Sequence, residues 1–325
     1  DDVLQNADIT TLGGTIQVAA GNAAQADNAD GIVMSDGTST TTHGGTIRLV
    51  SDNEGDVILG RLDTVDTDFS TGAVSVVAER DILDGADDLS DLNVQTGVLR
   101  LWADAMVDAT PAFTQDTGTA GDGVGTIGLA DTLNGVRTAN AHALDIQVRT
   151  LAARSADGIY ISEADIDGVA AASEDALTID ATNVITVQQV DFRSTLTQID
   201  DASLSDLTTT DSATGAAIKV VAQDGTLTIN EGDDADSTGV SAAGSGNVLL
   251  EARGTATDSD VELNANVFSG TGHVTVQAGD DVLQNADITT LGGTIQVAAG
   301  NAAQADNADG IVMSDGTSTT THGGT

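Results

Sequence analysis

The sequence predicts an all-β fold: a right-handed parallel β-helix (β-solenoid) with roughly 20–30 residues per coil, continued as a tandem repeat. Three observations lead there. Residues 1–46 and 280–325 are the same string of 46 letters, so the chain holds one 279-residue period and the start of the next. Short runs of alternating apolar and polar residues recur throughout, and many begin at Gly. Aromatic residues make up only 2% of the chain against 37 Gly, so the apolar content, 40%, is almost wholly Val, Ile, Leu and Ala. A globular core leans on large aromatic side chains, whereas thin stacked layers do not need them.

Taken in order, the leading runs are Gly14-Thr15-Ile16-Gln17-Val18, Gly45-Thr46-Ile47-Arg48-Leu49, Gly72-Ala73-Val74-Ser75-Val76, Gly97-Val98-Leu99-Arg100-Leu101 and Gly125-Thr126-Ile127. Later versions are Ala217-Ile218-Lys219-Val220, Asn247-Val248-Leu249-Leu250 and Gly272-His273-Val274-Thr275-Val276. Alternation places the β-branched residues on one face of a strand and the polar residues on the other. Second strands follow acidic turns, as in Asp56-Val57-Ile58-Leu59, Asp81-Ile82-Leu83, Asp260-Val261-Glu262-Leu263 and Asp281-Val282-Leu283. Shorter third runs are Ile9-Thr10 and Asn266-Val267-Phe268-Ser269. Gly, Asp, Asn and Ser supply the corners.

The anchors Ile16, Ile47, Val74, Leu99 and Ile127, and later Ile218, Val248, Val274 and Ile295, recur at intervals in the twenties to low thirties. At about 25 residues per coil a period holds about eleven coils and rises roughly 50 Å, from a strand spacing of ~4.8 Å. Between Asn134 and Asp211 the register is less regular. There Leu196 to Thr210 reads as a protruding loop or irregular coil, and Ala170 to Glu174 as a single helical turn. Trp102 falls on the outward parity of its strand. No Pro- or Ser-rich linker interrupts the chain, so 1–279 reads as one unit of a continuous solenoid and 280–325 as the start of the next.

The formal net charge is −41, which opposes nucleic acid and anionic lipid and keeps chains apart. No apolar run approaches the ~20 residues of a membrane-spanning helix, so no membrane insertion is expected. Cys is absent, which excludes disulfides and thiolate metal sites. Acidic turns are the one feature with binding chemistry, because calcium takes six to eight hard oxygen ligands. The candidate ligands are Asp52, Glu54, Asp56, Asp233, Asp234 and Asp236, and calcium is the one candidate cofactor. No EF-hand loop accompanies them. His43, His142, His273 and His322 stand alone in sequence and read as turn residues. No nucleophile elbow, P-loop or zinc-protease motif occurs, and the basic residues are scattered singly, so no enzyme is expected and no catalytic residue is assigned.

The Gly-Thr-Ile-x-Val runs with acidic Gly turns resemble giant repetitive bacterial surface proteins of the filamentous-haemagglutinin-like adhesin class. That resemblance implies a secreted, rod-like protein at the cell surface: a structural filament, stalk or matrix fibre. The alternative it implies is the stalk of an adhesin whose binding tip lies elsewhere. The partners expected are other copies of the chain, head to tail or side by side, and cell-surface or matrix polysaccharide.

Overall fold

The computed structural model describes residues 2–21, 31–52, 54–66, 71–85, 92–107, 116–130, 142–164, 176–213, 215–254, 259–300 and 310–324. Among them every regular element is a strand, and none is a helix long and apolar enough to cross a membrane. Ala170 to Glu174, the expected helical turn, lies outside the described residues. Twenty-eight strands form one sheet that winds on itself, paired in parallel from coil to coil. This is the β-solenoid the alternation predicts.

One ladder of in-register partners follows the chain from end to end. It runs Val3, Ile32, Val57, Ile82, Ile127, Ile159, Ile218, Val248, Val274, Ile295. Its eight inner members are fully or almost fully buried. Every one is β-branched, which suits a pleated surface buried on its inner face. Burying such a side chain is worth about 1.5–3 kcal/mol. A lone coil would bury few of them, so stability comes from stacking neighbours.

A second ladder passes through Ile16, Ile47, Val74, Leu99, Leu151, Ile179, Ile229 and Leu263. The anchors Ile16 to Leu99 therefore mark successive coils, as predicted, and so do Ile218 to Ile295. Ile127 does not continue from Leu99. Leu99 pairs with Leu151, and Ile127 belongs to the Val3 ladder. The chain between them makes an antiparallel excursion, strands Ala105–Val107 and Asp116–Ala120. A second excursion separates Ile179 from Leu207. Such coils are longer than the sequence spacing suggests, and a period holds fewer of them. The Val3 ladder reaches Val274 in eight steps, and Val282, the copy of Val3, lies one side further round, on the ladder of Leu263. Because the Val3 side has by then absorbed the Ile9 side, one period is about eight and a half coils, not eleven, with a rise of about 40 Å.

The corners move to make this possible. Strands Val94–Trp102 and Leu144–Ser155 each span two sides of the coil. Beyond them Leu144–Ser155 hands its second half to two separate strands, Leu177–Ile179 and Leu207–Thr209. Gly–Thr–Ile runs therefore lie on the Leu99 side early in the chain and on the Val3 side late in it.

Gly at the start of these runs is set by close packing of corners. A Cβ on Gly45 would collide with the carbonyl oxygen of Gly14, one on Gly272 with that of Gly246, and one on Gly293 with that of Gly272.

The second excursion is a hairpin, Ile185–Val190 with Leu196–Asp201, that folds back across the outer face of the Leu99 side. Its inward residues Ile185, Val187 and Ile199 are buried. Val50, Val77, Trp102, Ala105, Ala152 and Leu204 form a second apolar cluster outside the coil. Trp102 points outward as predicted, is covered, and lies between the Arg100 and Arg154 guanidinium groups at 5.3 and 5.1 Å. The segment read as a loop is thus half strand and half latch. Arg48 donates from Nε to both Asp201 carboxylate oxygens at 3.0 and 2.9 Å, and its Nη2 lies 2.9 Å from Oδ1. Ser75 donates to the same carboxylate at 2.7 Å, and Arg100 Nε donates to the Ala202 carbonyl at 2.9 Å. Both side chains of the Arg48–Asp201 pair have 0% exposure.

Two outcomes follow from this packing. Gly272→Ala is expected to cost roughly 1–3 kcal/mol, as an overpacked site does, read from the denaturant midpoint. Arg48→Met leaves a buried carboxylate without its cation, and is expected to cost about 3–5 kcal/mol. Arg48→Met with Asp201→Leu should recover most of that loss. Trp102 is the only tryptophan, so a red shift of its emission in Arg48→Met reports loosening of the outer apolar cluster.

Candidate functional site

The acidic turns have a structural task before any binding task. At a corner the chain leaves the ladder, and its backbone N–H groups lose their strand partners. Carboxylates at the corners take them up across neighbouring coils. Asp2 Oδ1 accepts from Gly31 N at 3.1 Å, Asp56 Oδ1 from Asp81 N at 3.2 Å, and Asp81 Oδ1 from Thr126 N at 2.8 Å. Near the C-terminal end, Asp260 Oδ1 accepts from Asp281 N at 2.9 Å and Asp281 Oδ1 from Gly310 N at 2.6 Å. Asn does the same work without charge: Asn93 for Asp145 N, Asn247 for His273 N, and Asn266 for Asp287 N. His273 continues one such row, with its Nδ1 accepting from Thr294 N at 3.0 Å.

The six sequence candidates divide. Asp52, Glu54 and Asp56 do not converge among the described residues. Glu54 donates its backbone N–H to Glu79, and Asp56 is part of the corner row. Asp233 is also diverted. Ser205 and Ser203 donate to its two oxygens at 2.6 and 2.8 Å, and these bonds hold its carboxyl below the usual range. Asp234 and Asp236 do converge, and with a residue the sequence reading missed. Their carboxylate oxygens lie within 4.8 Å of those of Asp206.

Asp206 stands directly before the strand Leu207–Thr209, at a backbone φ of +67°, and is 3% exposed. Its Oδ1 has no hydrogen-bond partner. Burial, then the charges of Asp234 and Asp236, a side-chain hydrogen bond with Asp234 that favours the protonated form, and the charge of Glu231, push its carboxyl up to about 8. The signal was present, since Asp before an apolar strand residue is the same pattern as Asp56-Val57 and Asp81-Ile82. The converging oxygens are hard ligands, suited to calcium or magnesium rather than to a soft metal. A second group, Asp260, Asp280 and Asp281, also converges, but Asp260 and Asp281 each already accept a corner N–H.

No protein-family model, curated protein or solved structure matches the chain.

Stacked carboxylates carry a pH dependence. Asp81 is pushed above its ordinary value by burial and by Asp56 and Asp157, against the hydrogen bond from Thr126 and the charge of Arg80. A raised folded value means that the contribution to stability is full below the unfolded value of 3.8 and is lost as pH climbs through the folded one. Asp81→Asn keeps an acceptor for Thr126 N and removes the charge. It is expected to melt higher than the parent at pH 7, with a gap that closes towards pH 3. Thermal melts in EDTA across that range check it, and a variant less stable than the parent at pH 7 counts against this account of the corner row.

Proposed function

We propose that this chain is a structural segment of an extracellular filament, stalk or matrix fibre on a bacterial cell, built from tandem β-solenoid repeats. The observation that supports this most is the placement of the second copy. Strands Val282–Gln284, Ile288–Thr290 and Ile295–Ala298 join the same ladders as the coils before them. A period therefore passes into the next without a joint. The job this geometry suits is length and stiffness, from axial backbone bonds and a continuous aliphatic core. A net charge of −41 sets such rods apart in solution. The partners that fit are further copies of the chain and surface polysaccharide, and the protein is not an enzyme on this reading.

The test is electron cryo-microscopy of a chain carrying several whole periods. The expected object is an unbroken rod with a ~4.8 Å layer line and a period of about 40 Å. Because each copy starts about half a turn further round, the hairpins should alternate between opposite sides of the rod and return to the same side every second period, roughly 80 Å along. Separate globules joined by thin connectors would overturn the reading.

A further inference from the structure

The Asp206 cluster does something the other acidic turns do not. At the Asp2, Asp56, Asp81, Asp260 and Asp281 corners the carboxylate accepts a backbone N–H of a neighbouring coil. Asp206 is buried, held in a left-handed backbone conformation, has one carboxylate oxygen, Oδ1, without a hydrogen-bond partner, and its carboxylate converges with those of Asp234 and Asp236. The strongest charges acting on it, those of Asp234, Asp236 and Glu231, are all negative. A buried carboxylate without a partner is costly, and bound cations are one way in which such groups are satisfied.

We propose that Asp206, Asp234 and Asp236 bind one calcium ion, which staples two successive coils at the foot of the hairpin. The placement fits that role. Asp206 precedes the strand Leu207–Thr209, and Asp234 and Asp236 precede Thr238–Ala242, the strand paired with it one coil on. An ion held by all three bridges the two corners. Asp236 Oδ1 is already engaged by Thr238 N at 2.6 Å, which orients the carboxylate and leaves Oδ2 for the ion. Glu231 is turned the same way by accepting from Ser237 N at 3.1 Å. Asp233, the sequence candidate, is tied off by its two serines and takes no part. Asp234 and Asp236 are exposed, so an ion reaches them directly from solvent.

The donors are all carboxylate oxygens, with no His or Cys, which excludes zinc-type coordination. Two of the three ligands are exposed, so water completes the shell. Calcium accepts such an irregular, partly hydrated set of six to eight oxygens, whereas magnesium demands a near-octahedral one. This assignment does not depend on the filament reading, since it concerns one corner of one unit.

The test uses the 325-residue chain stripped with EDTA and titrated with calcium chloride by calorimetry at pH 7.5, with thermal melts in parallel. The expected result is one saturable site per chain above a weak background, with a higher melting temperature in calcium than in sodium chloride of the same ionic strength. Magnesium should bind at least tenfold more weakly. Asp206→Asn should abolish the site and the melting shift. Because Asp206 is buried, the double variant Asp234→Asn with Asp236→Asn, both exposed, provides the same readout without touching the interior. Asp56→Asn should leave the site intact. Equal calcium effects in the parent and both cluster variants, or a parent shift no larger than the sodium chloride control, would overturn the assignment.

Discussion

Hydrogen bonds in this protein run along the axis, from one coil to the next, and almost everything else is arranged to keep them in register. A strand can satisfy its N–H and C=O groups only if its neighbour is in the same phase. A slip of one residue would turn the aliphatic face outward. The β-branched ladder from Val3 to Ile295 fixes that phase from inside. Gly45, Gly272 and Gly293 fix it at the corners, because only Gly lets one turn lie on the next. Asp and Asn complete it where the ladder breaks, by accepting N–H groups that have no strand opposite. The composition follows from this single requirement: β-branched residues inside, Gly where turns touch, Asp and Asn where they part.

The inner face was legible because its signal is local. Ile16, Ile47, Val74 and Leu99 announce their own coils, and Ile218 to Ile295 do so again. The number of coils was not legible. Counting residues assumes that every residue is spent on winding, and the two antiparallel excursions are not. The anchor Ile127 looked like the next step after Leu99 because its run has the right pattern, but pattern does not say which side of the coil a strand occupies. The covered outer face did leave a trace. Leu49-Val50 and Val76-Val77 are apolar on both parities, which marks a strand buried on both faces. Arg48 and Arg100, apparently scattered, stand at the outward positions of that same surface. Asp206 escaped because its two companions are distant in sequence and meet it only through the pairing of Leu207 with Val240.

Charge is distributed with the same economy. Acidic side chains that stack one coil apart repel, as Asp56 and Asp81 do, yet each carries a backbone bond that a neutral side chain of another shape would not make. Where Asn takes the position the bond survives without the repulsion. The use of both shows that the corner needs an oxygen acceptor first and a charge second. Exposed carboxylates elsewhere are screened within about 8–10 Å at physiological salt, so the excess negative charge burdens the fold mainly where it is stacked or buried.

The latch between Arg48 and Asp201 closes a loop of 153 residues, and this places the parts of the molecule in time. A chain made from its N-terminus presents Arg48, Val50 and Val77 long before the hairpin that packs against their strands exists. At 5–20 residues per second that interval is roughly 10–30 s. During it the early coils carry a bare surface of buried-type residues, and whatever protects them must come from outside the chain or from the speed of winding. When the hairpin arrives it finds its seat already built, so it joins late and adds its stability to coils that had to stand without it.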